Sequence, residues 1–329
     1  MNYLTRVTAV ILFLSISFAI YAQDKKFGIV IHGGAGRIVK ENVSDVQEKL
    51  YREKLEEALK SGYAILENNG TSLDAVSAAI NILEDSPLFN AGKGAVLTNE
   101  GKAELDASIM DGKNLAAGAV AGVSHIKNPI NLARLVMEKS PHVFLIGEGA
   151  ELFAKENNIE MVENNYFITD ERWKSYLRMK KSEEEKKKAS KSGTVGAVAL
   201  DKDGNLAAGT STGGMMMKRY GRVGDAPIIG AGTYANNNTC AVSATGYGEY
   251  FIRLGIAKDI SALMEYKNYN LEQAANDVIN NKLTSLGGYG GVICIDKGGN
   301  ISMPFTTEGM FRGFYVSDKN PSILLFKND

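Results

Sequence analysis

Ser192-Gly193-Thr194-Val195-Gly196-Ala197-Val198-Ala199-Leu200 joins two unlike pieces of chain. Before it, residues 171–191 are a dense mixture of Lys and Glu with no apolar period, which predicts a solvated linker. After Gly193 the run is small, β-branched and apolar, the composition of a buried strand. Thr194 stands at the junction. As the first residue of a strand a threonine is ordinary. If the Gly193–Thr194 bond were cut, however, Thr194 would become a chain terminus bearing a hydroxyl and a free α-amine. The amine could then act as base for the hydroxyl.

Outward from this stretch the chain alternates hairpins with helices. Residues 195–200, the turn Asp203-Gly204-Asn205 and residues 206–212 predict one hairpin; residues 291–295 and 301–304 around Asp296-Lys297-Gly298-Gly299-Asn300 predict another. A strand at 239–244 ends in Thr245-Gly246-Tyr247-Gly248, where a helix begins and continues to about residue 264. Earlier in the chain, residues 27–31 predict a strand ending in His32-Gly33-Gly34-Ala35-Gly36. Helices follow at 44–67 and from the cap-like Thr71-Ser72 through Leu83, then two strands within 103–122, a helix at 129–139 and an αβ unit at 143–158. Hairpins with helices outside them point to an α+β protein with antiparallel sheets, not a parallel doubly wound sheet.

Composition narrows the function classes. A formal net charge of -1 over 329 residues gives no electrostatic case for nucleic acid or an anionic membrane, and favours a small or peptide-like ligand. The weakly positive start, the apolar run at 7–20 and Ala22 before a polar stretch form a signal-peptide pattern over residues 1–22. The protein is therefore expected to be exported, periplasmic or secreted, with no membrane span after leader removal. The 2 Cys, Cys240 and Cys294, lie in apolar runs and read as buried thiols, and the 3 His have no ligand spacing, so no catalytic transition-metal site is expected. His32 itself reads as a packed, hydrogen-bonded histidine.

Several residues of the second half can converge on Thr194. Thr212 closes the partner strand of its hairpin and could hold the amine or carry a proton. Arg222 offers a fork for a carboxylate and Asp225 a charge for an ammonium, together an amino-acid head-group site; alternatively the two pair with each other. Thr245 and Gly246, between strand and helix, suit an oxyanion hole, or simply a turn. The Gly-, Pro- and Asn-rich loop after residue 83 could turn its carbonyls toward a hard cation, or satisfy them internally.

In order along the chain stand His32-Gly-Gly-Ala-Gly36, Pro87-Leu-Phe-Asn-Ala-Gly92, Ser192-Gly-Thr-Val-Gly-Ala197, Thr210-Ser-Thr-Gly-Gly214, Gly221-Arg-Val-Gly-Asp225, Ala244-Thr-Gly-Tyr-Gly-Glu249 and Thr307-Glu-Gly-Met310. This ordered set resembles the plant-type asparaginase, or isoaspartyl peptidase, family of N-terminal-nucleophile hydrolases, from residue 27 to 312. The resemblance implies a four-layer αββα sandwich made as one precursor, which cuts itself between Gly193 and Thr194. The products would be an α subunit (23–193, with an exposed linker at about 171–192) and a β subunit (194–329) within one domain, with a dimer of αβ units.

It also implies residue roles. Thr194 would be the nucleophile toward β-aspartyl dipeptides and L-asparagine, assisted by Thr212, with Thr245 and Gly246 holding the oxyanion. Arg222, Asp225 and Gly248 would bind the head group, with Asn90 near the nucleophile. Catalysis would need no cofactor. A structural Na⁺ would be held by backbone carbonyls of Leu83, Glu84, Ser86, Phe89, Ala91 and Lys93. Met215-Met216-Met217 departs from the family's more polar loop and, if it borders the pocket, would favour an apolar leaving group. Two other functions remain open on the sequence, a glycosylasparaginase and a non-catalytic periplasmic binding protein that never matures.

Overall fold

A computed structural model describes residues 25–183 and 193–329; the expected leader and residues 184–192 of the expected linker lie outside the described residues. Strand β1 (Gly28–Gly36) is followed by helices α1 (Asp45–Glu67) and α2 (Ser72–Glu84). Next come β2 (Leu105–Asp111), β3 (Ala117–Val123), α3 (Pro129–Lys139), β4 (Phe144–Ile146), α4 (Gly147–Glu156) and α5 (Asp170–Glu183). The second half contains the hairpin β5 (Val195–Leu200) and β6 (Leu206–Thr212), then β7 (Thr233–Ala235), β8 (Cys240–Gly246) and helices α6 (Gly248–Leu254), α7 (Ile256–Lys267) and α8 (Leu271–Asn276). It closes with β9 (Gly290–Asp296), β10 (Ile301–Ser302), β11 (Gly309–Val316) and β12 (Ser322–Phe326).

The strands form an eight-stranded sheet, ordered β12-β11-β1-β5-β6-β2-β3-β4, and a four-stranded sheet, ordered β10-β9-β8-β7. All ladders between these strands are antiparallel except β3 with β4. Alternation along the central strands builds the layers. Ile29, Ile31, Val195, Ala197 and Ala199 join the core under α1, α2 and α3, whereas Val30, Val198 and Leu200 turn the other way. There they meet Val242, Ile293 and Ile295 of the second sheet, which packs beneath Ile256 and Ile260 of α7 and Leu271 and Ala274 of α8. Helices, sheet, sheet and helices make the αββα sandwich expected of the sequence. Each central strand is buried on both faces, hence its unbroken apolar run.

Local signals set the helix starts. Ser44 caps α1 in a reciprocal box with Gln47, and Thr71 caps α2 through Asp74 N–H at 3.1 Å. Two elements differ from the sequence expectation. Residues 170–183, most of which read as linker, form α5, because Tyr176 is buried with its hydroxyl on the Asn99 carbonyl (3.1 Å) and Trp173 stacks on it at 5.2 Å. The helix expected from 248 to 264 is two, α6 and α7, divided at Gly255 in a left-handed conformation (φ 60°).

Candidate active site

Thr194 lies one residue before β5, and the pairing of Val195 with Ser211 sets it directly opposite Thr212, the last residue of β6. Its hydroxyl donates to the Thr212 hydroxyl at 3.0 Å, and the Gly214 N–H donates to the same oxygen at 3.0 Å. Thr194 is only 6% exposed, so this contact forms in a place from which bulk water is largely excluded.

The preceding Gly193 is held from two sides. Its carbonyl oxygen accepts the Asn90 N–H at 3.0 Å. Gly34 presses on it so closely that a Cβ on Gly34 would stand 2.5 Å from the Gly193 Cα, and Gly34 has φ +109°, a conformation that side chains resist. Asn90 is fixed by its own side chain, which donates to Gly214 O (2.8 Å) and accepts from Val96 N–H (2.8 Å). Asn90 therefore ties the loop at 85–94 to Gly193 and to Gly213-Gly214, just beyond Thr212.

His32 completes the support. Its Nδ1 lies 3.0 Å from Thr194 O and its Nε2 3.0 Å from Ser243 Oγ. Complete burial pushes its pKa down to about 3, against the Thr194 hydrogen bond, so the ring is neutral. Facing a carbonyl, Nδ1 must carry the hydrogen, and Nε2 accepts from Ser243. From Ser243 the buried hydroxyls continue through Thr210 (2.7 Å) and Thr233 (2.6 Å) to Ser108 (2.8 Å), which reaches Ala226 O at 2.6 Å. Ala226 follows Asp225. Thr194 and the loop that carries Asp225 are thus ends of one hydrogen-bonded chain between the sheets, a place beyond the packed histidine that the sequence suggested.

The cleft beside Thr194 is lined by Thr212, Gly214, Met215, Arg222, Asp225 and Gly246, with Tyr247 and Tyr289 stacked 5.6 Å apart. It brings most of the sequence-predicted site together. Arg222 does not pair with Asp225 as one alternative held; its Nε and Nη2 each donate to Glu249 at 3.0 Å. Burial pushes the Glu249 carboxyl up, but the Arg222 fork outweighs it and holds the pKa below the usual range. Asp225 is buried, its Oδ2 has no hydrogen-bond partner among the described residues, and burial raises its pKa to about 7 despite Arg222. A cationic group in the cleft would supply what that oxygen lacks. A Cβ on Gly248 would stand 2.7 Å from Asp225 Oδ1 and 3.0 Å from Arg222 Nη2, so only glycine fits between the two.

Thr245 and Gly246 end β8 opposite Gly291 and Gly290, and α6 begins two residues later at Gly248, so they stand at the strand-to-helix junction that the sequence predicts. Thr245 accepts the Ala35 N–H at 3.2 Å, which leaves its own hydrogen to donate. Of the methionine run only Met215 borders the cleft; Met216 and Met217 are buried in the core under α1 and α2. The expectation of a three-methionine wall is therefore corrected to a single side chain. Sequence reasoning missed Glu249, which stood inside a quoted motif without a role, and Tyr289, which no motif marks.

Cys240 and Cys294 are unpaired and buried, as their apolar surroundings suggested, and burial raises both thiols. Among the described residues no helix is long and apolar enough to cross a membrane, and no cluster of His, Cys, Asp or Glu could hold a metal.

A Gly-Thr junction at the head of a buried strand, inside an αββα sandwich, defines a hydrolase of the N-terminal-nucleophile type. The asparaginase family model matches residues 25–325, and the chain belongs to that family. It is 50% identical over 307 residues to the isoaspartyl peptidase of Escherichia coli K12, covering 91% of this chain and 96% of that protein. It is 46% identical over 290 residues to the isoaspartyl peptidase/L-asparaginase of Mus musculus (87% of each chain), and 43% over 285 residues to that of Bos taurus (86% and 91%).

Proposed function

We propose that this chain is a self-cleaving isoaspartyl peptidase with L-asparaginase activity, with Thr194 as nucleophile. The observation that carries the proposal is the 3.0 Å contact of Thr194 Oγ1 with Thr212 Oγ1, formed beside a Gly193 carbonyl that Asn90 N–H holds at 3.0 Å. In self-cleavage the Thr194 hydroxyl adds to the Gly193 carbonyl carbon, and the negative charge on its oxygen develops against the Asn90 N–H. The Gly193–Thr194 C–N bond breaks and the freed nitrogen takes the hydroxyl proton. Water then hydrolyses the ester, giving a Gly193 carboxylate and a Thr194 terminus.

In turnover the Thr194 hydroxyl adds to the side-chain carbonyl of a β-aspartyl substrate while the α-amine takes its proton. A free α-amine titrates near ~8, so enough is neutral at physiological pH to serve as base. The amine passes the proton to the leaving nitrogen, and water releases aspartate from the acyl-enzyme. Thr245 and Gly246 would hold the oxyanion. Arg222, oriented by Glu249, would take the substrate α-carboxylate, and the unpartnered Asp225 oxygen its ammonium.

The proposal includes export of the precursor behind the leader at 1–22, α and β fragments on either side of the cut, and a dimer of αβ units. It also includes a structural Na⁺ in the loop that positions Asn90. The carbonyls of Pro87 and Phe89 stand 2.6 and 2.9 Å from where a Cβ on Gly94 would be, so this loop does turn oxygens inward. Of the six carbonyls expected to bind, those of Glu84 and Leu83 also accept Lys93 N–H (2.7 Å) and Ser86 N–H (3.3 Å). A loop with these oxygens fits a weakly held hard cation with a supporting role.

Intact mass and denaturing gels of the purified protein, beside Thr194→Ala, test the proposal. Two fragments, with Thr194 as a new terminus in the wild type alone, are expected. An uncut wild-type chain that binds aspartate would turn the assignment to a binding protein. Preference for a glycosylated asparagine over β-aspartyl dipeptides would turn it to a glycosylasparaginase.

A further inference from the structure

On the far side of Gly193 from the head-group cleft lies a second cavity of about 120 Å³, against about 20 Å³ for the cleft. Tyr51, Phe89, Phe311 and Ile38 give it an apolar wall, in which Tyr51 stacks on Phe311 at 4.3 Å and meets the edge of Phe89 at 5.8 Å. Two guanidinium groups reach it. Arg37 is largely exposed and paired with Glu308 at 3.5 Å. Arg172, from α5, is mostly buried; its Nε donates to Gly94 O at 2.6 Å, and it forms no ion pair with any described residue. Burial lowers its pKa, a sign that the charge is under-solvated where it stands.

Position gives this cavity a use. During turnover the α-amine of Thr194 must pass a proton to the leaving nitrogen, so that nitrogen lies within hydrogen-bond reach of the Thr194 N. Before the cut, the neighbour of that N is Gly193, which lines the cavity. Whatever leaves a β-aspartyl substrate therefore occupies the Gly193 side. A leaving amino acid carries a side chain and a free α-carboxylate. The cavity offers an aromatic wall for the first and the Arg172 guanidinium for the second, although Glu171 lines the same cavity and acts on that charge without reaching ion-pair distance.

We infer that this cavity is the leaving-group subsite and that Arg172 binds the α-carboxylate of the departing amino acid, so that the enzyme prefers β-aspartyl dipeptides with a free C-terminus and an apolar second residue. The inference rests on the β-aspartyl hydrolase proposal and adds the specificity that proposal leaves open.

Steady-state kinetics of the cut enzyme on β-aspartyl-leucine, β-aspartyl-leucinamide and L-asparagine test it. Loss of one charge-assisted contact should raise KM for the dipeptide acid by about tenfold or more. The wild type should thus favour the acid over the amide by that factor. Arg172→Gln should erase the difference while leaving L-asparagine unchanged, and Arg172→Lys should restore part of it. Equal wild-type turnover of acid and amide overturns the subsite, and that comparison needs no variant. So does an equal loss on all three substrates in Arg172→Gln, which would mean that Arg172 only supports the Gly94 loop. A cut wild type inert on both dipeptide substrates would remove the proposed function itself, and the subsite with it.

Discussion

The imidazole of His32 spans the backbone carbonyl of Thr194 and the hydroxyl of Ser243, 3.0 Å from each. It ties Thr194 to the buried hydroxyl chain between the two sheets, and it does so as a neutral ring.

Acid should therefore loosen the precursor. The folded-state pKa of His32, about 3, lies below its ordinary 6.5, so the fold favours the neutral form. That stability is complete above 6.5 and is lost progressively as pH falls toward 3. Between pH 6.5 and 5 the loss from this group alone should be about 2 kcal/mol. Denaturant unfolding of uncut Thr194→Ala protein at pH 7 and pH 5 measures it. The double variant with His32→Asn, which keeps a donor near the Nδ1 position and does not titrate, should be less stable at pH 7 but lack this increment. An unchanged pH dependence would show that the ring is not buried neutral.

Asp225 should shape the pH profile of turnover in the opposite range. Burial holds its carboxyl near a pKa of about 7, and only the ionised form can meet an ammonium. The kcat/KM of the cut enzyme should rise with pH through about 7, with the α-amine of Thr194 adding a second rise near ~8. Asp225→Asn should remove the lower rise and reduce kcat/KM about a hundredfold, as expected when a buried charge loses its partner. A profile identical in shape for both proteins would disconnect Asp225 from substrate binding.

What the sequence shows and hides follows from the range of each interaction. The hairpin of β5 and β6 is local, so two short apolar runs and the Asp203-Gly204-Asn205 turn suffice to bring Thr194 beside Thr212. Helix α1 announces itself by its cap and stripe. Helix α5 does not, because Trp173 and Tyr176 are outnumbered by Lys and Glu, and Tyr176, on which Trp173 stacks, finds its support on distant Asn99. The two partners of His32, Thr194 just before β5 and Ser243 in β8, lie far from it and from each other in sequence, and no spacing encodes that meeting. Arg222 and Asp225, three residues apart, suggest a local pair, yet Arg222 reaches across to Glu249 and leaves Asp225 facing the cleft.

Gly34 should be needed for the cut itself. Its φ of +109° is costly for any residue with a Cβ, and that Cβ would collide with the Gly193 Cα. Gly34→Ala should displace the scissile carbonyl from the Asn90 N–H and slow self-cleavage by about tenfold or more, since loss of one oxyanion donor carries a cost of that order or larger. A time course on denaturing gels measures the rate. Thermal unfolding of the same variant, with Thr194→Ala to prevent the cut, separates slow chemistry from a failed fold. Cleavage at the wild-type rate would mean that Gly193 has room to move.

Thr212 receives two hydrogen bonds on one oxygen, from Thr194 and from the Gly214 N–H, and so fixes the direction of the Thr194 hydroxyl, the proposed nucleophile. Thr212→Val keeps the shape and removes the oxygen. The Thr194 hydroxyl is then free to rotate, and the Gly214 N–H is left without its acceptor at a cost of about 1–3 kcal/mol. Self-cleavage and kcat should both fall by about a hundredfold, the effect of losing an orienting contact at the reacting atom, with KM for β-aspartyl dipeptides changed far less. Thr212→Ser restores the oxygen without the methyl and should recover most of both rates. If valine cuts and turns over as threonine does, the 3.0 Å contact organises the hairpin end and nothing in the chemistry. If serine fails alongside valine, the methyl group, packed at the end of a fully buried strand, is what holds Thr194 in place.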